Sequence, residues 1–376
     1  MRFAGVNVLP LFPMSKINQQ LIAEKLGISR ATVSRCFTNH PGINATTRGK
    51  VFALASQLGY THAEKRELAT HQRRRTSTTL GVLICVDLPN FERTDYGNPG
   101  QELLNGLSEV ARAQDVRLDL HFVRPEDLHL DGPSYAKIAE TGRRLWDGVV
   151  LIYPFPQTIV DELKKMHPVV SLVEQYGQSP LDCVDVDHHR GIERLVDHLQ
   201  EKGHERIGFF TWHYPVQAGW ALRRYGAYIE MLTARGIEIH PHDAINVDPR
   251  RTLSLDDAHN EVIKQTKAGV TAWMCAADHQ AFDLIKALNA AGLDVPGDVS
   301  VTGFDGLDSL DDLPQLTTVE IPFHQIGVIG GKRLLDLIRK RFDSQQHILL
   351  NCELNVGDSV AAPRSAKKPT KKRKSS

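Results

Sequence analysis

The sequence predicts a small all-α helix-turn-helix headpiece followed by an α/β body of two doubly wound parallel-sheet subdomains. Three observations predict this fold class: charge is divided by region, short helical segments lie near the N-terminus, and apolar runs alternate with amphipathic stretches from residue 80 onwards. The predicted segments are a disordered leader at 1–15, the headpiece at 16–60, a hinge or linker at 61–79, the body at 80–360 and a disordered tail at 361–376.

The balance of 45 basic and 45 acidic residues hides a separation of charge along the chain. Residues 1–79 carry twelve basic and three acidic side chains, residues 361–376 carry seven basic and no acidic ones, and residues 80–360 carry 26 basic and 42 acidic ones. Basic ends on an acidic body indicate a polyanionic partner for those ends. The basic tail lacks the apolar residues needed for packing, so we expect it to add only nonspecific affinity for DNA.

Composition argues against membrane, exported and disulfide-rich proteins. No apolar run approaches the roughly 18–20 residues that cross a bilayer, and residues 1–14 do not form a convincing signal peptide. The five cysteines are scattered, with no C-x-x-C pair. Buried free thiols in a reducing compartment fit this pattern better than a disulfide framework or a cysteine zinc site. We therefore expect a cytoplasmic protein.

The head shows the pattern of a helix-turn-helix. Helices are predicted at 19–25, 30–37 and 45–58. Ser29 and Asn44 are suitable N-caps for the second and third helices. Ala23, Gly27 and Val33 have the required spacing, because a small residue lets two helices cross, glycine accepts a positive φ in the turn, and a branched residue anchors the second helix.

In such a motif the exposed start of the second helix enters the major groove of DNA. Arg30 can contact guanine through two hydrogen bonds, Ala31 can pack on a thymine methyl group, and Arg35 lies further along the helix as a third candidate for base contact. Short polar side chains suited to phosphate contacts are Thr32, Ser34, Asn39, Asn44 and Thr47. The alternative is a solvated basic helix in an unrelated bundle, but the local excess of positive charge favours DNA contact.

The segment LIAEKLGISRATVSRCFTNHPGINATTRGKVFALASQLGY, residues 21–60, resembles the DNA-binding headpiece of the lactose-repressor (LacI/GalR) family. The matching positions are the run 28–35, then Asn39, Thr47, Arg48 and the closing 58–60. The similarity continues to about residue 342. It implies a transcriptional regulator that binds double-stranded DNA.

The linker departs from that family's pattern. The family has a hinge helix after the tyrosine, from which a leucine wedges into the minor groove. Here the usual Pro-Asn is missing after Tyr60, and Leu68, the only candidate for the wedge, falls one residue early. A charged linker helix without insertion is the alternative.

The body reads as parallel sheets covered on both faces. Strands are predicted at 80–86, 116–123, 148–152, 169–173, 184–186, 207–210, 271–275 and 299–303, separated by helices near 101–113, 135–146, 157–166, 190–202, 218–235, 255–267 and 278–291. This is too much chain for one ordinary sheet, so we expect two subdomains with a ligand cleft at the carboxyl ends of their strands.

The family resemblance implies that this body is similar to periplasmic sugar-binding proteins. It assigns effector contacts to Arg223, which begins an Arg-x-x-Gly sequence, to Asp305 and to Asp278. A guanidinium donor with carboxylate acceptors suits a polyol. Tyr96, Trp212 and Trp220 are candidates for stacking on the ligand. The alternatives are a surface arginine, helix-capping aspartates and packed aromatic residues.

Enzyme and metal chemistry have little support. The densest ligand-like cluster, Asp185, Asp187, His188 and His189, lies on a strand-to-helix turn that also matches the family's pattern. No nucleophile-elbow, P-loop or dinucleotide-binding motif occurs. We predict no enzyme activity, no cofactor and no metal site.

The resulting hypothesis is a repressor that binds a pseudo-palindromic operator as a homodimer and responds to a small polar effector, a sugar or sugar derivative. No leucine heptads follow the body, which favours a dimer over a tetramer. No membrane partner is expected. The alternative is a solute-binding or carbohydrate-processing protein with an incidental basic head.

Overall fold

The computed structural model describes residues 18–37, 43, 45–57, 77–86, 97–178, 181–214, 216, 218–248, 250–341 and 344–364. The chain forms two compact units, Met1–Arg74 and Arg75–Ser376. The described residues of the first unit form the head, and those of the second form the body.

The head contains three helices, α1 (Gln19–Leu26), α2 (Arg30–Phe37) and α3 (Ala45–Gln57). The Oδ1 atom of Asn18 accepts a hydrogen bond from the backbone N–H of Leu21 at 3.0 Å and caps α1. The helix ends at Gly27, whose φ of +63° lies in the left-handed region that glycine adopts without steric cost. Ser29 Oγ accepts from the N–H of Thr32 at 3.0 Å, which confirms the predicted cap of α2. The predicted helices agree with the structure to within one residue.

A small apolar core holds the head helices together. Its buried members are Ile22, Ala23, Val33, Cys36, Val51 and Ala55. Ala23 is 2 % exposed and Val33 is fully buried, so both occupy the positions that the helix-turn-helix spacing predicts. The core involves all three helices and therefore fixes the orientation of α2 within the head.

Two six-stranded sheets form the framework of the body. The first contains β1 (Thr79–Cys85), β2 (Arg117–Val123), β3 (Gly148–Ile152), β4 (Val169–Leu172), β5 (Asp182–Val186) and β11 (His347–Leu350). Its order is β11-β5-β4-β3-β1-β2, and all of its pairs are parallel.

The second sheet contains β6 (Ile207–Phe210), β7 (Ala244–Ile245), β8 (Ala272–Cys275), β9 (Ser300–Asp305), β10 (Thr317–Glu320) and β12 (Glu353–Asn355). Its order is β12-β10-β9-β8-β6-β7, and it is parallel except for the pair of β10 with β12. Two parallel-sheet subdomains confirm the predicted fold class.

Helices cover both sheets. They are α4 (Pro99–Ala113), α5 (Pro133–Leu145), α6 (Gln157–Met166), α7 (His188–Glu201), α8 (Gly219–Ala234), α9 (Leu255–Lys267), α10 (Asp278–Ala290) and α11 (Phe323–Ile338). Short 3₁₀ turns occur at Pro125–Asp127 and Pro241–Asp243. None of the described helices is long and apolar enough to cross a membrane. All five cysteines are buried free thiols.

The chain passes between the two sheets three times. It leaves the first sheet after β5, returns after β10, and leaves again between β11 and β12. Helix α11 packs on α4 and on strands β3, β4 and β5, so the first subdomain is completed by residues from near the C-terminus. The sequence predicted neither this return nor the elements α11, β7, β10, β11 and β12.

Glycines explain both the omission of α11 and its packing. Gly327, Gly330 and Gly331 lie within the helix, where glycine is intrinsically unfavourable. A Cβ on Gly327 would overlap the backbone of Leu103 in α4, and a Cβ on Gly106 would overlap the backbone carbonyl of His324. The two helices therefore cross closely at positions that accept no side chain.

Gly106→Ala should destabilise the body by roughly 1–3 kcal/mol, because the new methyl group forces α4 and α11 apart. Urea denaturation of the full chain measures this. The matched control is Gly226→Ala in α8, where an added Cβ meets nothing within 4 Å and should stabilise the helix by up to about 1 kcal/mol. Equal effects of the two substitutions would contradict the close helix crossing.

Candidate nucleic-acid interface and ligand cleft

Helix α2 of the head has one buried and one exposed face. Val33 and Cys36 are buried in the head core, whereas Arg30, Ala31 and Arg35 are exposed. The three side chains that the sequence proposes for base contacts therefore lie on the exposed face of the helix. Because α2 is held by its buried face, these side chains have a rigid support.

The structure describes only some of the other predicted DNA contacts. Thr32 Oγ1 lies 2.9 Å from Ser29 Oγ at the start of α2. Thr32, Ser34 and Thr47 are half-buried. Asn39, Asn44, the wedge candidate Leu68 and the stacking candidate Tyr96 lie outside the described residues. Two exposed cations of the head, Lys25 and Lys50, were not among the predicted contacts.

In the body, Asp278 is fully buried at the start of α10. Its Oδ1 accepts from the hydroxyl of Thr318 at 2.6 Å, and its Oδ2 accepts from the N–H groups of Gly306 at 2.8 Å and Leu307 at 2.7 Å. Burial, reinforced by the nearby Asp305 carboxylate, raises the pKa of Asp278 to about 7. The side chain thus fixes the turn after β9, which favours a structural role over the predicted contact with an effector.

Asp305, at the end of β9, lies beside an arginine that the sequence did not single out. Its Oδ1 is 3.5 Å from Nη1 of Arg224, and its Oδ2 accepts from the N–H of Asp278 at 3.4 Å. Burial raises the pKa of Asp305 to about 6, although the guanidinium of Arg224 opposes this rise. An acceptor with such a pKa binds a hydroxyl donor most strongly above about pH 6, where it is ionised.

Arg224, the cation beside Asp305, is 3 % exposed. Its Nη1 donates to the carbonyl of Ala276, and its Nε donates to Nδ1 of His188 at 3.2 Å. The guanidinium carbon lies 3.9 Å from the ring centroid of Phe304 and 4.7 Å from that of Trp220. Burial lowers the pKa of this arginine.

The tautomer of His188 follows from these contacts. Because a guanidinium only donates, Nδ1 of His188 must accept, and its Nε2 therefore carries the hydrogen and donates to Asp185 Oδ2 at 3.0 Å. Burial lowers the pKa of His188, so the ring is neutral. Although burial alone would raise it, the pKa of Asp185 is lowered to about 2 by the His188 ring and by the N–H groups of Val186 and Gln175.

The remaining members of the metal-ligand candidate cluster are engaged elsewhere. Asp187 Oδ1 caps α7 by accepting from the N–H of Arg190 at 3.0 Å. His189 Nε2 lies 3.1 Å from Glu230 Oε2. No group of three or more potential metal ligands is gathered among the described residues.

Arg223, a predicted effector contact, lies on α8 and already binds a carboxylate of the protein. Its Nη2 donates to Oε1 of Glu174 at 2.6 Å, and both Nη atoms lie 3.4 Å from the carbonyl oxygen of Gln175. Its Nε is buried and has no hydrogen-bond partner among the described residues. Sequence reasoning missed Glu174, since a lone acid after a short strand carries no distinctive signal.

An aromatic cluster lies next to these charges. Trp212 lies 4.8 Å from His279, and Tyr214 lies 5.7 Å from Trp220, measured between ring centroids. The Tyr214 hydroxyl accepts from Gln280 Nε2 at 2.7 Å. Trp212 Nε1 and Gln280 Oε1 are buried without a hydrogen-bond partner among the described residues. Of this cluster the sequence indicated only Trp212 and Trp220.

These features define a class: a helix-turn-helix head joined to a two-sheet ligand-binding body. Residues 20–62 match the family model "Bacterial regulatory proteins, lacI family", and residues 196–360 match "Periplasmic binding protein-like domain". The chain thus combines a DNA-binding domain of the lacI family with a periplasmic-binding-protein-like domain. This confirms the resemblance found in the sequence and the prediction that the protein is not an enzyme.

Relatives and solved structures agree with this assignment. The chain is 26% identical over 352 residues to the HTH-type transcriptional repressor MelR of Bacillus subtilis (strain 168), covering 90% of this chain and 96% of the relative. The lac repressor dimer bound to operator and the anti-inducer ONPF has a TM-score of 0.63 at 20% identity, covering 92% and 99% of the two chains. A complex of the transcriptional regulator CelR with cellobiose has a TM-score of 0.62 at 21% identity, covering 92% and 100%. At this identity the two structures support the fold.

Proposed function

We propose that the protein is a transcriptional repressor that binds a pseudo-palindromic operator as a homodimer under the control of a small polar effector, a sugar or sugar derivative. The observation that carries this proposal is the exposed face of α2, with Arg30, Ala31 and Arg35 supported by a packed head core. Because the proposed partner is an operator on chromosomal DNA, the protein would act in the cytoplasm, in association with the nucleoid.

DNA recognition in this proposal is confined to the head. Arg30 and Arg35 donate to base edges, Ala31 packs on a thymine methyl group, and the short polar side chains of α2 and α3 donate to phosphates. The acidic body repels the duplex, so the basic head is the part that approaches it. One head reads one half-site, and a two-fold dimer reads two.

Effector recognition in this proposal uses the polar cleft of the body. Asp305 accepts from ligand hydroxyls and Arg223 donates to ligand oxygens, while Trp212 packs against an apolar ring face. The support is their common location beside the carboxyl ends of β6, β8 and β9, where parallel sheets bind ligands. The CelR–cellobiose structure is a sugar complex of the same fold.

Coupling between the two functions requires the effector to bind two conformations of the body with different affinity. The cleft is bordered by residues of both subdomains, with Glu174 after β4 of the first sheet and Arg223 on α8 of the second. A ligand that changes this contact changes the angle between the subdomains. The 61–79 linker transmits that change to the heads.

Selection of full-length protein on random DNA duplexes tests the function. We expect enrichment of an inverted repeat whose half-sites are about 10 base pairs apart, or a multiple of that distance, between their centres. A selection that enriches no sequence would contradict the proposal. Enrichment of a single half-site would retain DNA recognition but contradict the dimer.

A further inference from the structure

The cleft contains an oxyanion site that the protein fills with its own Glu174. Oε1 of Glu174 accepts from Arg223 Nη2 at 2.6 Å and from the N–H of Gln175 at 3.1 Å, and Oε2 accepts from the N–H of Trp220 at 3.3 Å. The Glu174 side chain is 4% exposed. The carboxylate therefore sits against a guanidinium and the first turn of α8.

The sequence of α8 is adapted to a charged group at this position. The helix has no side-chain cap of its own at Ala218, and a Cβ on Gly219 would overlap Glu174 Oε1. The N-terminus of a 16-residue helix carries partial positive charge and favours an anion. Glu174 comes from the other subdomain, so the cap of α8 is provided across the cleft.

Glu174 leaves the site incompletely satisfied. It uses Nη2 of Arg223, whereas the buried Nε has no partner among the described residues. A free carboxylate or phosphate can bind an arginine through two parallel hydrogen bonds and satisfy both nitrogens. A ligand oxyanion would thus use a donor that the protein's own carboxylate does not.

The other charges around the site are compensated locally. Asp185 is bonded to His188 and Gln175, and Asp305 faces Arg224. Burial and the Asp185 charge raise the pKa of Glu174 to about 6, against the effect of Arg223. Removal of Glu174 from the site would leave Arg223 as a cation without a carboxylate.

We propose that Glu174 is a placeholder for the effector: the effector is a polyol that carries an oxyanion, and this oxyanion displaces Glu174 from Arg223. A neutral hydroxyl is a poor competitor, because a charge-assisted bond to arginine is about twice as strong as a neutral one and Glu174 competes from within the same molecule. Displacement breaks the link between the subdomains, which is how binding would alter the body. This inference rests on the proposed effector site.

The test is the rescue of Glu174→Ala by a small carboxylate. Thermal unfolding of the full-length variant is followed in sodium acetate, with acetamide and sodium chloride at matched concentrations. At saturating acetate we expect a rise in Tm of about 2 °C or more in Glu174→Ala. Wild type, whose site is filled, should show no specific rise. Glu162→Ala removes an acid exposed on α6 and should behave as wild type.

If acetate binds in the place of the Glu174 carboxylate, its stabilising effect should depend on Arg223. Adding Arg223→Ala to Glu174→Ala should abolish the acetate response. A response that persists without Arg223, or that acetamide reproduces, means an adventitious ion only and overturns the inference. Repeating the titration with inorganic phosphate shows which oxyanion the site prefers, because the better match gives the larger rise in Tm.

A second variant covers the case in which Glu174→Ala does not fold. Glu174→Gln keeps the shape but removes the charge, so phosphate should stabilise it more than it stabilises wild type, and equal responses would overturn the inference. These titrations need neither DNA nor effector. Their failure leaves the repressor proposal standing, while a failed DNA selection leaves the oxyanion site standing.

Discussion

Arg224→Met should lower the free energy of unfolding of the body by about 3–5 kcal/mol, the usual cost of breaking a buried charge pair from one side. The substitution leaves Asp305 facing no cation and removes the donors to the Ala276 carbonyl and to His188 Nδ1. It also removes a cation stacked on Phe304. Urea denaturation of the full chain, followed by tryptophan fluorescence, measures the change.

Two further variants test whether the loss of stability in Arg224→Met comes from breaking the buried charge pair. Arg250→Met removes an arginine whose side chain is 89% exposed and should change stability by less than about 0.5 kcal/mol. Combining Arg224→Met with Asp305→Asn should recover roughly 1 kcal/mol or more, because the unpaired carboxylate is then neutral. If Arg224→Met costs no more than Arg250→Met, Arg224 does not organise the cleft.

Arg30→Ala should relax the base preference at one position of each half-site. A bidentate contact between arginine and guanine contributes about 1–3 kcal/mol of discrimination, so the preference at that position should fall roughly 5- to 150-fold. Fluorescence anisotropy with the selected operator and its single-base variants measures this directly. Other positions of the operator should keep their preferences.

An exposed cation outside α2 provides the control for Arg30. Lys50 lies on α3, and Lys50→Ala should weaken all duplexes alike, with a shallower dependence on salt, or have no effect. If Arg30→Ala weakens every duplex equally, Arg30 contacts phosphate and the predicted base contact is wrong.

The head was predictable because its signals are local. Asn18 and Ser29 cap helices within three residues of themselves, and Gly27 ends α1 through its own φ. The spacing of Ala23 and Val33 places both in one core. Capping, turn geometry and helical periodicity all depend on near neighbours in the chain, so a single sequence displays them.

The body was predictable mainly where its strands appear in the sequence as apolar runs. Seven of the eight predicted strands consist mostly of buried residues and therefore appear as apolar runs. The eighth, β2, is an edge strand whose residues are mostly half-buried, and it alternates polar with apolar residues. Strands β7, β11 and β12 are short edge strands, and β11 and β12 have exposed residues that break such a run. Helix α11 was not predicted because it contains several glycines. Its close packing against Gly106 of α4 explains them, and a single sequence does not show that contact.

The positions of the site residues were predictable, but the contacts they make within the chain were not. Strand ends drew attention to Asp278 and Asp305, yet the donors that occupy Asp278 lie 28 to 40 residues further along the chain. Arg223 and Arg224 are adjacent on one helix and point in different directions. Arg224 is the buried one. Its guanidinium donates to His188 and to the carbonyl of Ala276, which are both distant from it in the sequence.

The most direct test of the account measures operator affinity with and without a body ligand. Ligands are first found by thermal-shift screening of the full chain against sugars, sugar acids and sugar phosphates. A ligand bound by wild type should change the operator Kd by about tenfold, and Arg223→Ala should keep DNA binding but lose this response. A ligand that saturates the body and leaves the operator Kd unchanged would contradict this expectation.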